Sequence, residues 1–318
     1  MNSETKKPNF FIVGAPKCGT TSLHYYLSQH PEIFMSEPKE PHYFCKDFHE
    51  ETKKFHGKLF GFGATTEEEF LELFKNVKNE KIIGEASAMY LYSKVAAKEI
   101  YKFNPSSKIL ISIREPVEFL YSYYLELYYC RGEDIDNFKK AIQLEEERKK
   151  GYYLPKTVAY PSALFYSEVT KFSVQIERYL KIFPREQVKI ILLDDLKNNL
   201  EGTYKEILIF LGVDDIDFRP DFTIKNPAKT YRSKFLQDLL KNPYKMKKIV
   251  NIYRKIVPLK IREKIYNFLL EINKKPIKKP AIDPEFRHEL MIKFKPEVEK
   301  LSDLLNRDLI SLWGYDKI

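Results

Sequence analysis

The sequence predicts an α/β protein with a central parallel sheet flanked by helices. The first observation is that short apolar segments with the length of buried strands occur at four places, with helical periodicity between them. The second is that the first such segment ends in a glycine-rich turn followed by a helix. The four predicted strands are Phe10–Gly14, Lys81–Gly84, Lys108–Ile113 and Val188–Leu193. This alternation is typical of a parallel sheet covered by helices on its faces.

The predicted helices follow the 3.6-residue period of their apolar side chains. The first begins at Thr20 and ends near Ser28, before Pro31, because the residue before a proline disfavours helix. Further helices are predicted at 66–76, 94–103, 116–130, 136–149, 160–183 and 203–212. Residues 214–234 are predicted to form a long loop, and residues 283–313 a closing pair of helices.

The composition indicates one packed globular domain over residues 1–318. The chain is 43% hydrophobic and 14% aromatic, and no Gly/Ser linker divides it, which excludes a disordered or collagen-like chain. Its 3 cysteines lack the spacing of a zinc site and are too few for a disulfide scaffold, so no metal is expected. Residues 1–9 are polar and the apolar run after them is short, so we expect a soluble, cytoplasmic protein.

Positive charge is concentrated near the C-terminus. The net charge is +9, but residues 241–280 hold 11 Lys and 2 Arg against 2 Glu, which makes this block +11 and leaves about −2 elsewhere. The pattern predicts amphipathic helices with a cationic face, a basic helical elaboration within the domain. Three interpretations stay open: a solvated surface, attraction of an anionic saccharide or nucleotide, and peripheral contact with acidic lipid. No nucleic-acid-binding motif accompanies the charge, so no nucleic-acid partner is expected.

The turn after the first strand is the first candidate site. Its residues are Gly14-Ala15-Pro16-Lys17-Cys18-Gly19-Thr20-Thr21-Ser22. The spacing of the two glycines matches a nucleotide P-loop, but the lysine lies inside the loop and Thr20 follows the second glycine. Such a P-loop-like nest of backbone N–H groups, with one lysine and several hydroxyls, suits a single phosphate group better than Mg-triphosphate. The alternative is a turn that only packs helix on strand.

A second polar cluster follows another predicted strand. Arg114 comes directly after the strand 108–113, and Ser122 lies eight residues later in the predicted helix 116–130. In open parallel sheets, ligands bind at the carboxyl ends of the strands. We therefore expect this cluster and the glycine-rich turn to form one site.

Together, Pro16–Leu23 and Ile113–Pro116 resemble the two cofactor loops of sulfotransferases that use 3′-phosphoadenosine 5′-phosphosulfate. The resemblance implies that the first loop holds the 5′-phosphosulfate and that Arg114 and Ser122 hold the 3′-phosphate. It also suggests that a loop containing Arg232 and Ser233 closes over the nucleotide. A basic surface loop is the alternative for this last pair.

The segment Lys39-Glu40-Pro41-His42-Tyr43-Phe44 is similar to the glycosaminoglycan-type branch of that family, and Gly84–Tyr90 resembles its stretch bordering the acceptor cleft. The resemblance implies that Glu40 is the general base of an in-line sulfuryl transfer and that Lys17 stabilises the leaving oxygen. His42 is the competing base. On an extended segment Glu40 and His42 would point to one side, and partial burial would raise the pKa of Glu40.

The predicted function is transfer of a sulfuryl group to a hydroxyl or amine of an acceptor, most simply a carbohydrate, without a metal. The alternative is a P-loop small-molecule kinase or NTPase. Against it stands the absence of a lysine after Gly19, which in P-loop enzymes contacts the β- and γ-phosphates.

Overall fold

The structure, a computed structural model, describes residues 6–223, 229–231, 233, 236, 265, 268–269, 272–276 and 280–318. Its centre is a five-stranded parallel sheet with strand order β2-β3-β1-β4-β5. The strands are β1 Phe10–Gly14, β2 Ile33–Met35, β3 Ile82–Ala86, β4 Lys108–Ile113 and β5 Val188–Leu192. The predicted α/β class is confirmed.

Strand β1 lies at the middle of this sheet and is buried along its whole length. Phe10 pairs with Gly84 of β3 on one side and with Lys108 of β4 on the other. Because side chains of a strand alternate between the two faces, Phe11 packs into one hydrophobic core and Ile12 into a second core across the sheet. Burial on both faces explains why the strand is a continuous apolar run.

The helices connect and cover the strands. They are α1 Thr20–Leu27, α2 Lys46–His56, α3 Glu67–Glu72, α4 Ala96–Phe103, α5 Pro116–Cys130, α6 Phe138–Gln143, α7 Glu145–Lys149, α8 Tyr166–Val169, α9 Phe172–Leu180, α10 Leu193–Asn198 and α11 Leu200–Leu211. The helix Pro284–Leu305 packs against α5 and α9, and the short helix Leu309–Leu312 packs on it. The predicted closing helix pair is therefore confirmed.

The continuous helix predicted over 160–183 is wrong. The segment forms a 3-10 turn at Pro161–Leu164 and then the two helices α8 and α9. Carboxylates from elsewhere in the chain cap both starts: Glu145 accepts from the backbone N–H of Ser167 at 2.8 Å, and Glu297 from that of Ser173 at 2.6 Å. Carboxylates distant in sequence therefore satisfy backbone N–H groups that would have bonded within one continuous helix.

Three further predictions need correction. The helix predicted over 136–149 is divided at Leu144 into α6 and α7. The loop predicted over 214–234 contains strand β6 (Lys229–Tyr231), which pairs antiparallel with β7 (Lys274–Pro276). The basic block 241–280, predicted to be helical, therefore includes a strand. Its remaining residues lie mostly outside the described residues. No helix within the described ranges combines the length and the apolar character needed to cross a membrane.

Candidate active site

The glycine-rich turn connects the centre of the sheet to α1. A Cβ atom on Gly14 would lie 2.6 Å from Cβ of Leu91 and 2.7 Å from the carbonyl oxygen of Ala88, so only glycine fits there. Gly19 caps α1 in the left-handed conformation with φ 85°. These two glycines let the turn pass close to the neighbouring segment and then enter the helix directly.

The backbone N–H groups of the turn and of the first residues of α1 are available to a ligand. Among the described residues, none accepts a hydrogen bond from the backbone N–H groups of 17–21. Ser112 Oγ donates to the carbonyl oxygen of Cys18 at 2.6 Å, which anchors the turn to β4. Burial raises the pKa of the Cys18 thiol to about 12, so its backbone is what this residue offers to an anion. The partial positive charge of a helix N-terminus adds to this anion-binding character.

Lys17 is the cation of this turn. Its φ of 62° is a left-handed conformation that non-glycine residues seldom adopt. Its ammonium Nζ lies 2.9 Å from Oε2 of Glu126 on α5, and the lysine side chain is only 23% exposed. The structure thus directs this charge from the turn towards α5.

Arg114 follows β4, the strand next to β1, and contacts the turn directly. Its Nη1 donates to the carbonyl oxygen of Lys17 at 3.4 Å, and its Nη2 lies 3.3 Å from Oε2 of Glu118. Glu118 also accepts from Nη1 of Arg287 at 2.6 Å. The guanidinium is therefore held beside the turn, and the expected meeting of the two loops is confirmed.

Helix α5 brings Ser122, the second residue of the predicted pair, to the same place. Glu115 caps the helix by accepting from the backbone N–H groups of Val117 and Glu118 at 2.9 and 2.7 Å. Residues spaced by four share one face of a helix, so buried Ser122 lies between Glu118 and Glu126. The face that contacts Arg114 and Lys17 thus also carries the Ser122 hydroxyl.

The segment containing Glu40 lies along the end of β3. The backbone N–H of Glu40 donates to the carbonyl oxygen of Ala86 at 3.0 Å, and that of His42 to Ser87 Oγ at 3.0 Å. From α2, His49 Nε2 lies 3.0 Å from the carbonyl oxygen of His42. Since β3 is the other neighbour of β1, the Glu40 segment belongs to the same edge of the sheet as the two loops.

Glu40 and His42 lie close together, but not on an extended segment. Both residues adopt positive φ, 65° and 56°. Nε2 of His42 lies 3.2 Å from Oε2 of Glu40. The ring is not aligned for a hydrogen bond, and Nε2 is buried without another partner among the described residues. The two side chains lie on one side, as expected. The expected extended conformation is wrong, because two left-handed residues turn the chain.

The expectation of a raised pKa for Glu40 is also wrong. Burial raises the pKa of this carboxyl, but the neighbouring imidazole of His42 and the positive charge of Lys39 outweigh burial and lower it to about 2. Lys39 forms an ion pair with Oε1 of Glu40. In this arrangement Glu40 is ionised throughout the physiological pH range.

Sequence reasoning did not select Glu85 as a site residue. It is fully buried at the end of β3, and its Oε1 accepts from Ser87 Oγ at 2.6 Å. No described residue forms a hydrogen bond with its Oε2, and burial raises the pKa of Glu85 to about 8. Ser87 in turn accepts from the His42 backbone, so Glu85 supports the Glu40 segment. The signal in the sequence that could have identified Glu85 is an acidic residue next to a predicted buried strand.

The last two predicted residues are only partly described. Arg232 lies outside the described residues. The backbone N–H of Ser233 donates to Oδ1 of Asn273 at 2.8 Å, and Nδ2 of Asn273 donates to the carbonyl oxygen of Ser233 at 3.1 Å. These contacts tie Ser233 to the residue before β7, and its role over a nucleotide stays a prediction.

The chain is similar to known proteins of one family. The family model for the sulfotransferase domain matches residues 7–268. Carbohydrate sulfotransferase 15 of Rattus norvegicus is 29% identical over 280 residues, which cover 71% of this chain and 47% of that protein. Bifunctional heparan sulfate N-deacetylase/N-sulfotransferase 4 of Mus musculus is 28% identical, covering 65% of this chain and 22% of that protein. The chain therefore spans about half or less of these relatives' length.

A solved structure agrees along nearly the whole chain. The sulfotransferase from Alicyclobacillus acidocaldarius superimposes with a TM-score of 0.69 at 29% identity, covering 97% of this chain and 99% of that one. The kinase or NTPase alternative gains no support from these comparisons. The fold, the predicted resemblance and the matched residues agree, and the chain belongs to the sulfotransferase domain family.

Proposed function

We propose that this protein transfers a sulfuryl group from 3′-phosphoadenosine 5′-phosphosulfate to a hydroxyl, or an amine, of a carbohydrate. The observation that carries the proposal is that Lys17 and Arg114 follow the adjacent strands β1 and β4, while the backbone of Glu40 is hydrogen-bonded to the end of β3 on the other side of β1. All three residues therefore lie at one edge of the sheet. An anion-binding turn and a carboxylate base are the two parts that this reaction requires. The names of the carbohydrate and heparan sulfate relatives support the acceptor class.

The described residues fit the two anionic ends of such a donor. The backbone N–H groups of 17–21, with the Lys17 ammonium, would hold the phosphosulfate. Arg114 has a planar fork suited to a phosphate, and Ser122 adds a hydroxyl, so this pair would hold the 3′-phosphate. The remaining turn residues would line the phosphosulfate site: Pro16, Cys18, Gly19, Thr20, Thr21 and Ser22. The loop that contains Arg232 and Ser233 is proposed to close over the nucleotide. When bound, the donor supplies an activated sulfuryl group attached to a phosphate leaving group.

The residues of the chain have separate roles in the transfer step. Glu40 is ionised and accepts the proton of the acceptor hydroxyl. His42, with Nε2 3.2 Å from Oε2 of Glu40, is the second candidate for the base. Lys17 stabilises the negative charge that develops on the leaving oxygen. Lys17 and Arg114 also supply the positive charge that a metal ion provides in P-loop kinases, so we propose transfer without a metal.

Ligand-dependent thermal stability tests this proposal first. Adenosine 3′,5′-bisphosphate should raise the melting temperature progressively with its concentration, whereas ATP with Mg²⁺ and duplex DNA should not. Labelled sulfate from the donor should then appear on members of a saccharide panel. Stabilisation by Mg-ATP alone, with no sulfate transfer to any saccharide, would contradict the proposed function.

A further inference from the structure

Two carboxylates on α5 each pair with one cation of the candidate donor site. Oε2 of Glu118 lies 3.3 Å from Nη2 of Arg114, and Oε2 of Glu126 lies 2.9 Å from Nζ of Lys17. The two glutamates are eight residues apart and so lie on one face of the helix, two turns from each other. Each side chain therefore stands beside a cation that, under the proposed function, binds a phosphate or sulfate oxygen.

The two pairs differ in their surroundings. Glu118 lies in the first turn of α5, where the helix dipole favours an acid, and Nη1 of Arg287 holds it at 2.6 Å. Glu126 lies near the C-terminal end of the same helix, where the dipole disfavours an acid. Its Oε1 accepts from Sγ of Cys130 at 3.5 Å, a weak donor. Lys17 thus supplies a close, charged partner for Glu126.

We propose that Glu126 is a positioning residue that holds the Lys17 ammonium in the donor-free protein and competes with the donor for it. This inference rests on the proposed function. A carboxylate already 2.9 Å from the ammonium repels an incoming phosphosulfate, so binding must separate or weaken the ion pair. The glutamate side chain is 45% exposed and the lysine 23%, so the carboxylate is the partner that can turn towards water.

The pairing has two consequences for the donor. The ion pair lowers the affinity for the donor, because donor binding must separate or weaken the Lys17–Glu126 contact. It also keeps the Lys17 side chain extended towards α5, so that the ammonium is already positioned when the anion arrives. Glu126 thereby sets how tightly the nucleotide product is held after transfer.

Isothermal titration with adenosine 3′,5′-bisphosphate provides the test, using the full chain, three single variants and one double variant. Glu126→Gln keeps the shape and removes the charge. We expect about 3- to 5-fold tighter binding, the upper part of the range that a partly exposed ion pair allows. Glu299→Gln, an exposed position on the helix Pro284–Leu305, makes the same change in net charge away from the site. Its affinity should stay within about twofold of wild type.

A third variant, Lys17→Met, completes a double-mutant cycle. It should weaken binding by itself, and adding Glu126→Gln in this background should change the affinity by less than about twofold. An equal gain from Glu126→Gln with and without Lys17 would overturn the proposal in favour of general electrostatics. So would unchanged or weaker binding by Glu126→Gln when wild type binds. Absence of binding by wild type would instead refute the proposed function.

Discussion

Oε2 of Glu40 lies 3.2 Å from Nε2 of His42, although a proline separates the two residues and both have left-handed backbone conformations. Lys39 forms an ion pair with the other carboxylate oxygen of Glu40. One acidic side chain is thus shared between two basic neighbours from its own segment. This arrangement keeps Glu40 ionised, so a proton acceptor is present before any acceptor hydroxyl binds.

Glu40→Gln should lower kcat for sulfate transfer by roughly 10²- to 10⁴-fold, because the amide keeps the shape of the side chain but cannot take a proton. Affinity for adenosine 3′,5′-bisphosphate should stay within about twofold of wild type in titrations. His42→Ala should cost less in kcat. A larger loss from His42→Ala than from Glu40→Gln would reverse the two roles.

Arg114→Ala should weaken binding of adenosine 3′,5′-bisphosphate by about 2–4 kcal/mol, because it removes the planar fork proposed for the 3′-phosphate. Affinity for 5′-AMP, which has no 3′-phosphate, should change little. Titration of both nucleotides on both proteins measures the difference. Because Arg114 also contacts the Lys17 carbonyl, an equal loss for the two nucleotides would give it a structural role in the turn instead.

Sulfate transfer should be unaffected by EDTA. Lys17 and Arg114 supply the positive charge beside the proposed phosphate groups, and the turn lacks the P-loop order in which a Ser or Thr follows the lysine to hold Mg²⁺. The measurement is the initial rate with and without chelator. Loss of the rate with EDTA, followed by recovery with added Mg²⁺, would favour the kinase or NTPase alternative.

Glu85 should make the protein less stable as the pH rises from about 5 to 8. Burial raises its pKa, so the folded protein retains a proton that the unfolded chain has already released in this range. Stability from this group is complete below its unfolded pKa and is lost as the pH rises through the folded value. Urea unfolding of wild type and Glu85→Gln at several pH values checks this, since the variant should lack that part of the slope. Parallel pH profiles would contradict the assignment.

Glu133→Gln should lower the free energy of unfolding by about 3–5 kcal/mol, because it leaves the buried Arg148 guanidinium without its counter-ion. Both side chains are fully buried, with Nη1–Oε2 and Nη2–Oε1 distances of 2.6 and 2.7 Å. The exposed pair Glu147–Lys150 supplies the control, since Glu147→Gln should change stability by less than about 0.5 kcal/mol. Similar urea midpoints for the two variants would show that burial does not strengthen the inner pair.

Much of the fold could be predicted because it depends on local patterns. Four of the five strands of the large sheet follow from apolar runs, and the turn before α1 follows from its two glycines. The three-residue strand β2 was missed because so short a segment carries no periodicity, and it is defined only by pairing with β3. The breaks in 160–183 were missed because Glu145 and Glu297, distant in sequence, supply the caps.

The sequence by itself determined the fold class, the glycine-rich turn and the residue types available for proton transfer and charge stabilisation, since each depends on neighbours a few positions away. Only the tertiary structure decided which charges meet. The pairing of Lys17 with Glu126 joins residues 109 positions apart, and the low pKa of Glu40 and high pKa of Glu85 depend on burial and on the atoms nearby. Coulomb energy and desolvation vary with distance in space, and distance along the chain does not specify them.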